Sequence, residues 1–412
     1  MSAGTVIVGG GLAAQRVAEG LRRRGYAEPV RIVCAEPEPP YDRPPLSKEL
    51  LAGATAASMP SPRKRSLGDP FCGLAEEVAY RPAGWYEENE VELLLGVRAE
   101  GLDPAQRQVA LDTGDSLPYE DLVIATGGEP RRLRFLAGAN VHELRTLADL
   151  RRLRRDLVAG SRLAIVGAGF IGQEVAATAR ALGVEVTVVE ALLVPLEPIV
   201  GPRLGRWFAD LHQEEGVRLV AGAALESARG GGDRVEELVL ADGRRVECDL
   251  VLVGIGTVPA TGWLRGSGLE GPGVPVDAGG RTAIPGVLAA GDACLGFEPR
   301  RRAHLRTEHW DAAAWQGAAV ARSILGEEPG RPPLPSFWSD QYGVRVQCVG
   351  HPQLADEVAL EGDPAARDFE ALFTRGGVPV AGLAVGRPRA IPAFRKQIEG
   401  AVPALQPEKE AA

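Results

Sequence analysis

Apolar residues in this chain gather into short runs that end on glycine. The run "TVIVGGG", residues 5–11, is followed by "LAAQRVAEGLRRRG", apolar at helical spacing, and then by the apolar run "PVRIVCAE", which ends at Glu36. This order predicts strand, helix, strand. The same order returns in "RLAIVGAGFIGQEVAATARALGVEVTVVE", ending at Glu190. Each copy is followed by a second repeated block. "QVALDTGDSLPYEDLVIATGG" and "VEELVLADGRRVECDLVLVGIG" each predict a hairpin and then an apolar strand closing on glycines. Asp242 and Gly243 form a hairpin-turn pair. "VLAAGDACLG" reads as a strand ending at Asp292, and "RTEHWDAAAWQGAAVARSIL" as a helix with Trp310 in its opening region. In "RTLADLRRLRRDL", Leu147, Leu150, Leu153 and Leu157 share one face, which predicts an amphipathic helix with a wet basic side. Beyond the Pro- and Gly-rich "GEEPGRPPLP" come four strand-like runs, "GVRVQCVG", "DEVALEG", "FEALFTRGG" and "VPVAGLAVG". A helical stretch, "AIPAFRKQIEGAV", follows them. They predict a small α+β domain of antiparallel strands.

The glycine spacing gives the repeats a chemistry. Gly9, Gly11 and Ala14 stand in a G-x-G-x-x-A pattern, and Gly167, Gly169 and Gly172 in G-x-G-x-x-G. In a strand–loop–helix context such glycines let backbone approach a pyrophosphate, and the helix N-terminus faces the anion. An acid at the end of the following strand, here Glu36 and Glu190, hydrogen-bonds ribose hydroxyls. The closing turns, Thr126, Gly127 and Gly128 in the first copy and Gly254, Ile255 and Gly256 in the second, are expected beside their own glycine loops. Glu190 would repel a 2′-phosphate, and the following "ALLVPL" offers no arginine to receive one, so NADH is expected over NADPH. Asp292 could accept hydrogen bonds from a sugar-like hydroxyl chain, and a helix N-terminus near Trp310 could point N–H groups at an electron-rich ring oxygen.

Composition narrows the classes. The chain has 412 residues, 25% of them charged, and a net charge of −9, with no overall basic footprint for nucleic acid. No apolar run reaches the ~18 residues of a membrane helix. No basic stretch precedes the first apolar run, so a cytoplasmic protein is expected. The five cysteines, Cys34, Cys72, Cys248, Cys294 and Cys348, form no C-x-x-C, and the five histidines have no metal-ligand spacing. Electrons carried by a bound nucleotide would therefore have no dithiol to pass through.

The stretch "PPYDRPPLSKELL", residues 39–51, sets Arg43 and Lys48 among four prolines. Proline locks φ and removes a donor, so a stiffened loop is expected, neither helix nor central strand. Together with "GGGLAA", "VIATGG", "VGAGFIGQEVA", "GDA", "RTEHW" and "FWSDQYG", it resembles the FAD-dependent, NADH-using ferredoxin reductases that feed ring-hydroxylating dioxygenases and bacterial cytochromes P450. The chain is similar also to rubredoxin reductases and, more distantly, to apoptosis-inducing factor.

The resemblance implies an α/β fold of two tandem Rossmann-like dinucleotide-binding domains, glutathione-reductase-like, with a small α+β C-terminal domain. The expected boundaries are 1–112 with 246–325 for FAD, 113–245 for NADH and 326–412 for the last domain. It implies FAD held by Gly9, Gly11, Ala13 and Ala14, with Glu36 on the adenosine ribose. Arg43, Lys48, Ala99, Ala125, Thr126, Gly127 and Arg131 would line the pocket, Asp292 would bind the ribityl chain, and the backbone at Trp310 the pyrimidine end. It implies NADH held by Gly167, Gly169, Phe170, Ile171, Gly172, Glu190 and Gly256. Lys48 and Glu174 would be catalytic, the lysine stabilising charge on the reduced ring. An iron–sulfur ferredoxin would take the electrons singly; rubredoxin is an alternative, and so is a redox-sensing role like that of apoptosis-inducing factor. Docking of an acidic carrier would use Arg131, Arg132 and Arg134, or Arg300, Arg301, Arg302 and Arg306. Trp338 is a candidate for stacking near the nicotinamide or for electron exit. Residues 61–78 read as a surface insertion, and Gln173, where the family commonly has an apolar residue, as a hydrogen-bonding or solvent-facing side chain.

Overall fold

The computed structural model describes residues 3–53, 73–298 and 303–401. Cys72, Arg300, Arg301, Arg302 and all of the expected insertion except its end, Gly73 and the short helix Leu74–Val78, lie outside these residues. The chain divides into two compact units. The first comprises Met1–Arg131, Arg145–Arg151 and Thr257–Pro333; the second comprises Arg132–Leu144, Arg152–Gly256 and Leu334–Ala412.

The first unit is built on five parallel strands in the order Val287–Ala289, Asp121–Ile124, Thr5–Val8, Val30–Cys34, Val91–Leu95. Val, Ile and Leu fill its strands because both faces are covered, as in other parallel sheets. Helices Leu12–Arg23 and Trp310–Ile324 pack on one face, where Val17, Ala18, Leu21, Val320 and Ala321 are fully buried with Ile7 and Ile32. Their seam is made of small residues. A Cβ on Gly317 would lie 2.4 Å from the Ala13 carbonyl oxygen, and one on Gly20 would lie 2.6 Å from the Ala321 methyl. On the other face lies the antiparallel sheet Ala99–Asp103, Gln108–Leu111, Ser116–Pro118, the expected hairpin with one more strand.

The second unit repeats the design. Its parallel sheet runs Arg218–Ala221, Glu185–Glu190, Arg162–Val166, Leu250–Val253, Val141–His142. Its hairpin is Glu237–Leu240 with Arg245–Glu247, turning at Asp242 and Gly243. The basic stretch forms helix Leu147–Asp156, which starts in the Arg145–Arg151 segment of the first unit, with Leu147, Leu150, Leu153 and Leu157 buried, as the spacing predicts.

Two expectations are corrected. Strand Asp121–Ile124 pairs with Thr5–Val8, and strand Leu250–Val253 with Arg162–Val166, so the boundaries at 112 and 245 each fall before a strand that belongs to the preceding sheet. The hairpin crossover returns the chain to the sheet it left. Residues 334–401 form the expected C-terminal α+β piece, an antiparallel sheet followed by helix Ala390–Ala401. Their sheet shares one core with helix Glu197–Glu214, through Val200, Leu204 and Phe208 against Phe369, Phe373 and Leu383. That sheet has five strands, in the order Ser336–Gln341, Val344–Gly350, Val378–Val385, Asp368–Arg375, Glu357–Asp363. The first is "SFWSDQ", whose inward residues Ser339 and Gln341 are polar and so hide its alternation. The proline stretch is not a bare loop. Pro44–Ser47 forms a 3₁₀ turn and Glu49–Ala52 a short helix. Pro44 and Pro45 occupy the first turn, where a missing N–H costs nothing.

Among the described residues no helix is long and apolar enough to cross a membrane.

The small-residue seam sets a stability contrast. Gly317→Val places carbon against backbone that cannot yield, and should lower unfolding free energy by about 1–3 kcal/mol or more. Gly84→Ala, in a helix with nothing within 4 Å of the new carbon, should raise it by about 0.5–1 kcal/mol. Urea denaturation measures both; equal midpoints would contradict the seam.

Candidate functional site

In the first unit the strand Thr5–Val8 runs straight into the glycine loop. Gly9 has φ +130°, and a Cβ there would lie 2.1 Å from the Ala125 carbonyl oxygen. The loop is thereby seated on the end of strand Asp121–Ile124, as expected of the closing turn. Gly11 is the N-cap of helix Leu12–Arg23, in extended conformation with no side chain capping it, and a Cβ there would meet nothing within 4 Å. The first-turn N–H groups thus face open space at the positive end of a helix. Ala13 and Ala14 turn their methyls into the core, so only their backbone remains for a ligand. Ala99 is likewise a core residue, beside Val33 and Leu111. Thr126 donates to the Ala260 carbonyl (2.7 Å), and Arg131 Nε to the Thr257 carbonyl (3.2 Å).

Glu36 lies just past strand Val30–Cys34 and is engaged within its own unit. It accepts from Tyr41 Oη at 2.5 Å and from Arg43 Nη2 at 2.7 Å. Arg43 Nη1 donates to the Arg145 carbonyl at 2.6 Å, and the Leu147 N–H to Tyr41 Oη at 3.1 Å. Arg145 Nη2 reaches Asp292 Oδ2 at 3.4 Å. A Cβ on Gly127 would lie 3.3 Å from Arg145 Nη2. Burial works against both guanidinium charges. For Arg43, Tyr41 and Glu36 more than offset it and its pKa is raised. For Arg145, the neighbouring Arg43 charge adds to burial and the pKa is lowered, although Asp292 opposes this. Arg145 was not picked out from sequence. Its signal is the capping box after it: Thr146 and Asp149 bond each other's backbone N–H groups and start the helix, leaving Arg145 outside it.

The proline stretch ties this cluster to the Trp310 helix. Asp42 accepts from Trp310 Nε1 at 2.8 Å and from Tyr80 Oη at 3.0 Å. Asp292 sits on the turn Gly291–Ala293, whose Gly291 N–H donates to Gln316 of the same helix at 2.7 Å. Lys48 Nζ donates to the Pro44 carbonyl at 3.2 Å.

The second unit has the matching loop. A Cβ on Gly167, φ +100°, would lie 2.5 Å from the Gly254 carbonyl oxygen. Gly169 is an extended N-cap of helix Phe170–Ala181 with no side-chain cap, and nothing comes nearer its absent Cβ than 3.8 Å. Gly172 is required by the Gly167 carbonyl, 2.3 Å from where its Cβ would be. Ile171 leaves 40% of its surface exposed beside this helix start. Gly256, φ +93°, ends the closing turn. Glu190 accepts from the Ala168 N–H (2.7 Å) and the Leu192 N–H (2.9 Å). Phe170 packs on Phe337, ring centroids 4.8 Å apart. Glu174 is buried and accepts from Ser339 Oγ at 2.7 Å, which in turn accepts from Gln341 Nε2 at 3.0 Å. Gln173 is 1% exposed and hydrogen-bonded, not solvent-facing. Ser339, Gln341, His212 and Tyr342 are the polar partners that sequence reading missed. Trp338 lies on the same strand as Ser339, paired with Gln347.

Among the described residues, three of the four arginines expected for docking have partners, Arg131 in the Thr257 carbonyl. Arg132 pairs with Glu143, at 2.8 Å, and Arg306 with Glu308. Arg134 is exposed.

Both loops have the features of a pyrophosphate cradle: an uncapped helix N-terminus, a glycine opening onto it and no side chain filling the space. The family model for pyridine nucleotide-disulphide oxidoreductases matches residues 4–317, and the reductase C-terminal model matches 336–410. The ferredoxin–NAD(+) reductase component of the anthranilate 1,2-dioxygenase system of Burkholderia cepacia is 39% identical over 97% of this chain and 95% of its own. Putidaredoxin reductase of Pseudomonas putida is 32% identical over 93% and 88%. The crystal structure of a covalent putidaredoxin reductase–putidaredoxin complex superimposes with a TM-score of 0.88 at 32% identity, covering 97% of this chain and 94% of that one. Two duplicated nucleotide sheets and a third sheet sharing the second unit's core are thus the common plan, and this chain belongs to the pyridine nucleotide-disulphide oxidoreductase family, with the reductase C-terminal domain.

Proposed function

We propose that this protein is an FAD-dependent ferredoxin reductase, taking electrons from NADH and delivering them to an iron–sulfur ferredoxin that serves an oxygenase. The observation that carries this reading is the pair of open, uncapped helix N-termini at Gly11 and Gly169, one per unit. The relatives named above support the ferredoxin, dioxygenase and P450 context. With FAD bound, a hydride's two electrons are taken up together and released one at a time.

The chain's own residues bind and orient. Gly9 and Gly11, with the backbone of Ala13 and Ala14, hold the FAD pyrophosphate. Glu36 stays ordered through Tyr41 and Arg43 and has lone pairs left for the adenosine ribose. Asp292 and the backbone at Trp310 serve the ribityl chain and the pyrimidine end. Asp42 fixes the indole of Trp310, so the proline stretch orients that helix start as well as carrying Lys48. Lys48, stiffened by Pro44 and Pro45, provides a preorganised positive charge for the reduced ring. Gly167, Gly169 and Gly172 hold the NADH pyrophosphate, and Glu190 its ribose. Glu174, held by Ser339, would lie toward the nicotinamide side of the loop and order that end of the site. The described cysteines are free and buried, and no C-x-x-C occurs, so electrons leave to an external carrier rather than through a dithiol. Buried free thiols also suit a cytoplasmic location.

The purified protein should be yellow and should bleach when NADH is added without oxygen. A preparation that neither retains flavin nor bleaches would refute this function. Glu190→Gln keeps an acceptor for the Ala168 N–H but removes the negative charge. It should reduce the preference for NADH over NADPH by about ten-fold in kcat/KM. Steady-state kinetics with both nucleotides test this, and an unchanged ratio would deny Glu190 its ribose role. Charge reversal at Arg134 should raise the KM for ferredoxin several-fold and leave ferricyanide reduction unaffected. Equal losses with both acceptors would remove this arginine from docking.

A further inference from the structure

Behind the second glycine loop runs a buried polar chain that the nucleotide-binding reading does not use. It begins at Gln173, an amide 1% exposed in a helix otherwise buried through Val175, Ala176 and Ala179. Its Nε2 donates to the Ala168 carbonyl at 2.9 Å. Its Oε1 lies 3.0 Å from His212 Nε2, and His212 Nδ1 lies 2.7 Å from Tyr342 Oη. His212 comes from helix Glu197–Glu214, and Tyr342 from just past strand Ser336–Gln341.

One proton arrangement satisfies every member. An amide oxygen turned toward the Ala168 carbonyl would be repelled, so the NH₂ group faces it. The amide oxygen then faces His212, which must donate from Nε2. A neutral ring that donates from Nε2 accepts at Nδ1, and the Tyr342 hydroxyl supplies that hydrogen. Burial pushes the His212 pKa down to about 4, so the ring stays neutral in ordinary buffers. From the other side, the Ala168 N–H donates to Glu190 at 2.7 Å. The middle residue of the glycine loop is thus held at both of its polar groups, by Glu190 and by Gln173.

We propose that Gln173, oriented by His212 and Tyr342, is a positioning residue that presets the loop 167–169 for the pyrophosphate of the nicotinamide nucleotide. It acts through the Ala168 carbonyl, keeping the first-turn N–H groups turned toward the ligand. Without it the loop samples other peptide orientations, and binding must select the competent one. The inference rests on the second loop being the NADH site, as proposed above.

The test is calorimetric titration of the FAD-loaded protein with ADP-ribose, which carries the pyrophosphate and no nicotinamide. Gln173→Met, similar in size and unable to make either hydrogen bond, should raise the Kd about five- to ten-fold. His212→Phe should raise it about two- to five-fold. His212→Gln, which restores a donor toward Gln173, should recover most of the loss. Amide hydrogen exchange at residues 168–171 should quicken in Gln173→Met without ligand, with FAD content unchanged. A Kd within two-fold of wild type in Gln173→Met overturns the proposal. So does a His212→Gln variant as weak as His212→Phe, which would signal general core damage. If Gln173→Met does not fold, Gln173→Leu is used; it too can make neither hydrogen bond, and an unchanged Kd is again fatal. NADH bleaching of the wild type is the separate control. A wild type that bleaches beside an unaffected variant defeats the positioning role alone, and a wild type that does not bleach defeats the NADH site itself.

Discussion

Each unit depends on one close approach: a glycine α-carbon set against the carbonyl at the end of a neighbouring parallel strand. Gly9 meets Ala125 and Gly167 meets Gly254 at distances no side chain would permit. That contact turns the chain off the sheet and brings the next helix in with its N-terminus uncovered. The parallel sheet supplies the platform, since the strand carrying the carbonyl is the hydrogen-bonded neighbour of the strand carrying the glycine. Backbone packing therefore makes the open helix start, and side chains only refine it.

The two sites are refined differently. In the first unit the acid after the second strand is enmeshed with Tyr41 and Arg43, and a second guanidinium, Arg145, completes a charged cluster with Asp292. Such a cluster is stable only because each charge has a partner close by; burial alone would expel it. In the second unit the corresponding acid accepts one backbone N–H from the glycine loop and one from the residues that follow it, with lone pairs left over. The polar residues there, Gln173, Glu174, His212 and Ser339, bond one another across the core shared with the C-terminal sheet.

What could be read from sequence follows from what is local. The glycine spacing, the strand–helix–strand order and the leucine stripe of helix Leu147–Asp156 are short-range patterns with a single physical solution. The domain edges were misplaced because sheet membership is not local: a strand after a crossover pairs with one that lies far earlier in the chain. The strand "SFWSDQ" was missed because its inward positions are Ser339 and Gln341, which mimic a loop until the chain Gln341–Ser339–Glu174 is known. Arg145 was absorbed into a basic stretch, although a capping box separates it from the helix. Gln173 was visible as an oddity but its direction was not, since one residue's rotation about a helix decides between solvent and core.

The small-residue seam between helices Leu12–Arg23 and Trp310–Ile324 bears on the order of assembly. The earliest residues of the chain find their closest helical neighbour only after some three hundred more have been added, and the edge of strand Asp121–Ile124 waits equally long for Val287–Ala289. During synthesis that edge and that helix face stand bare. The sheet of residues 162–253 needs only Val141–His142, already made, to complete itself. On a ribosome emitting about 5–20 residues per second, the nascent chain thus carries a finished second sheet beside an unfinished first one, and the exposed strand edge is where chaperone capture and misassembly would begin.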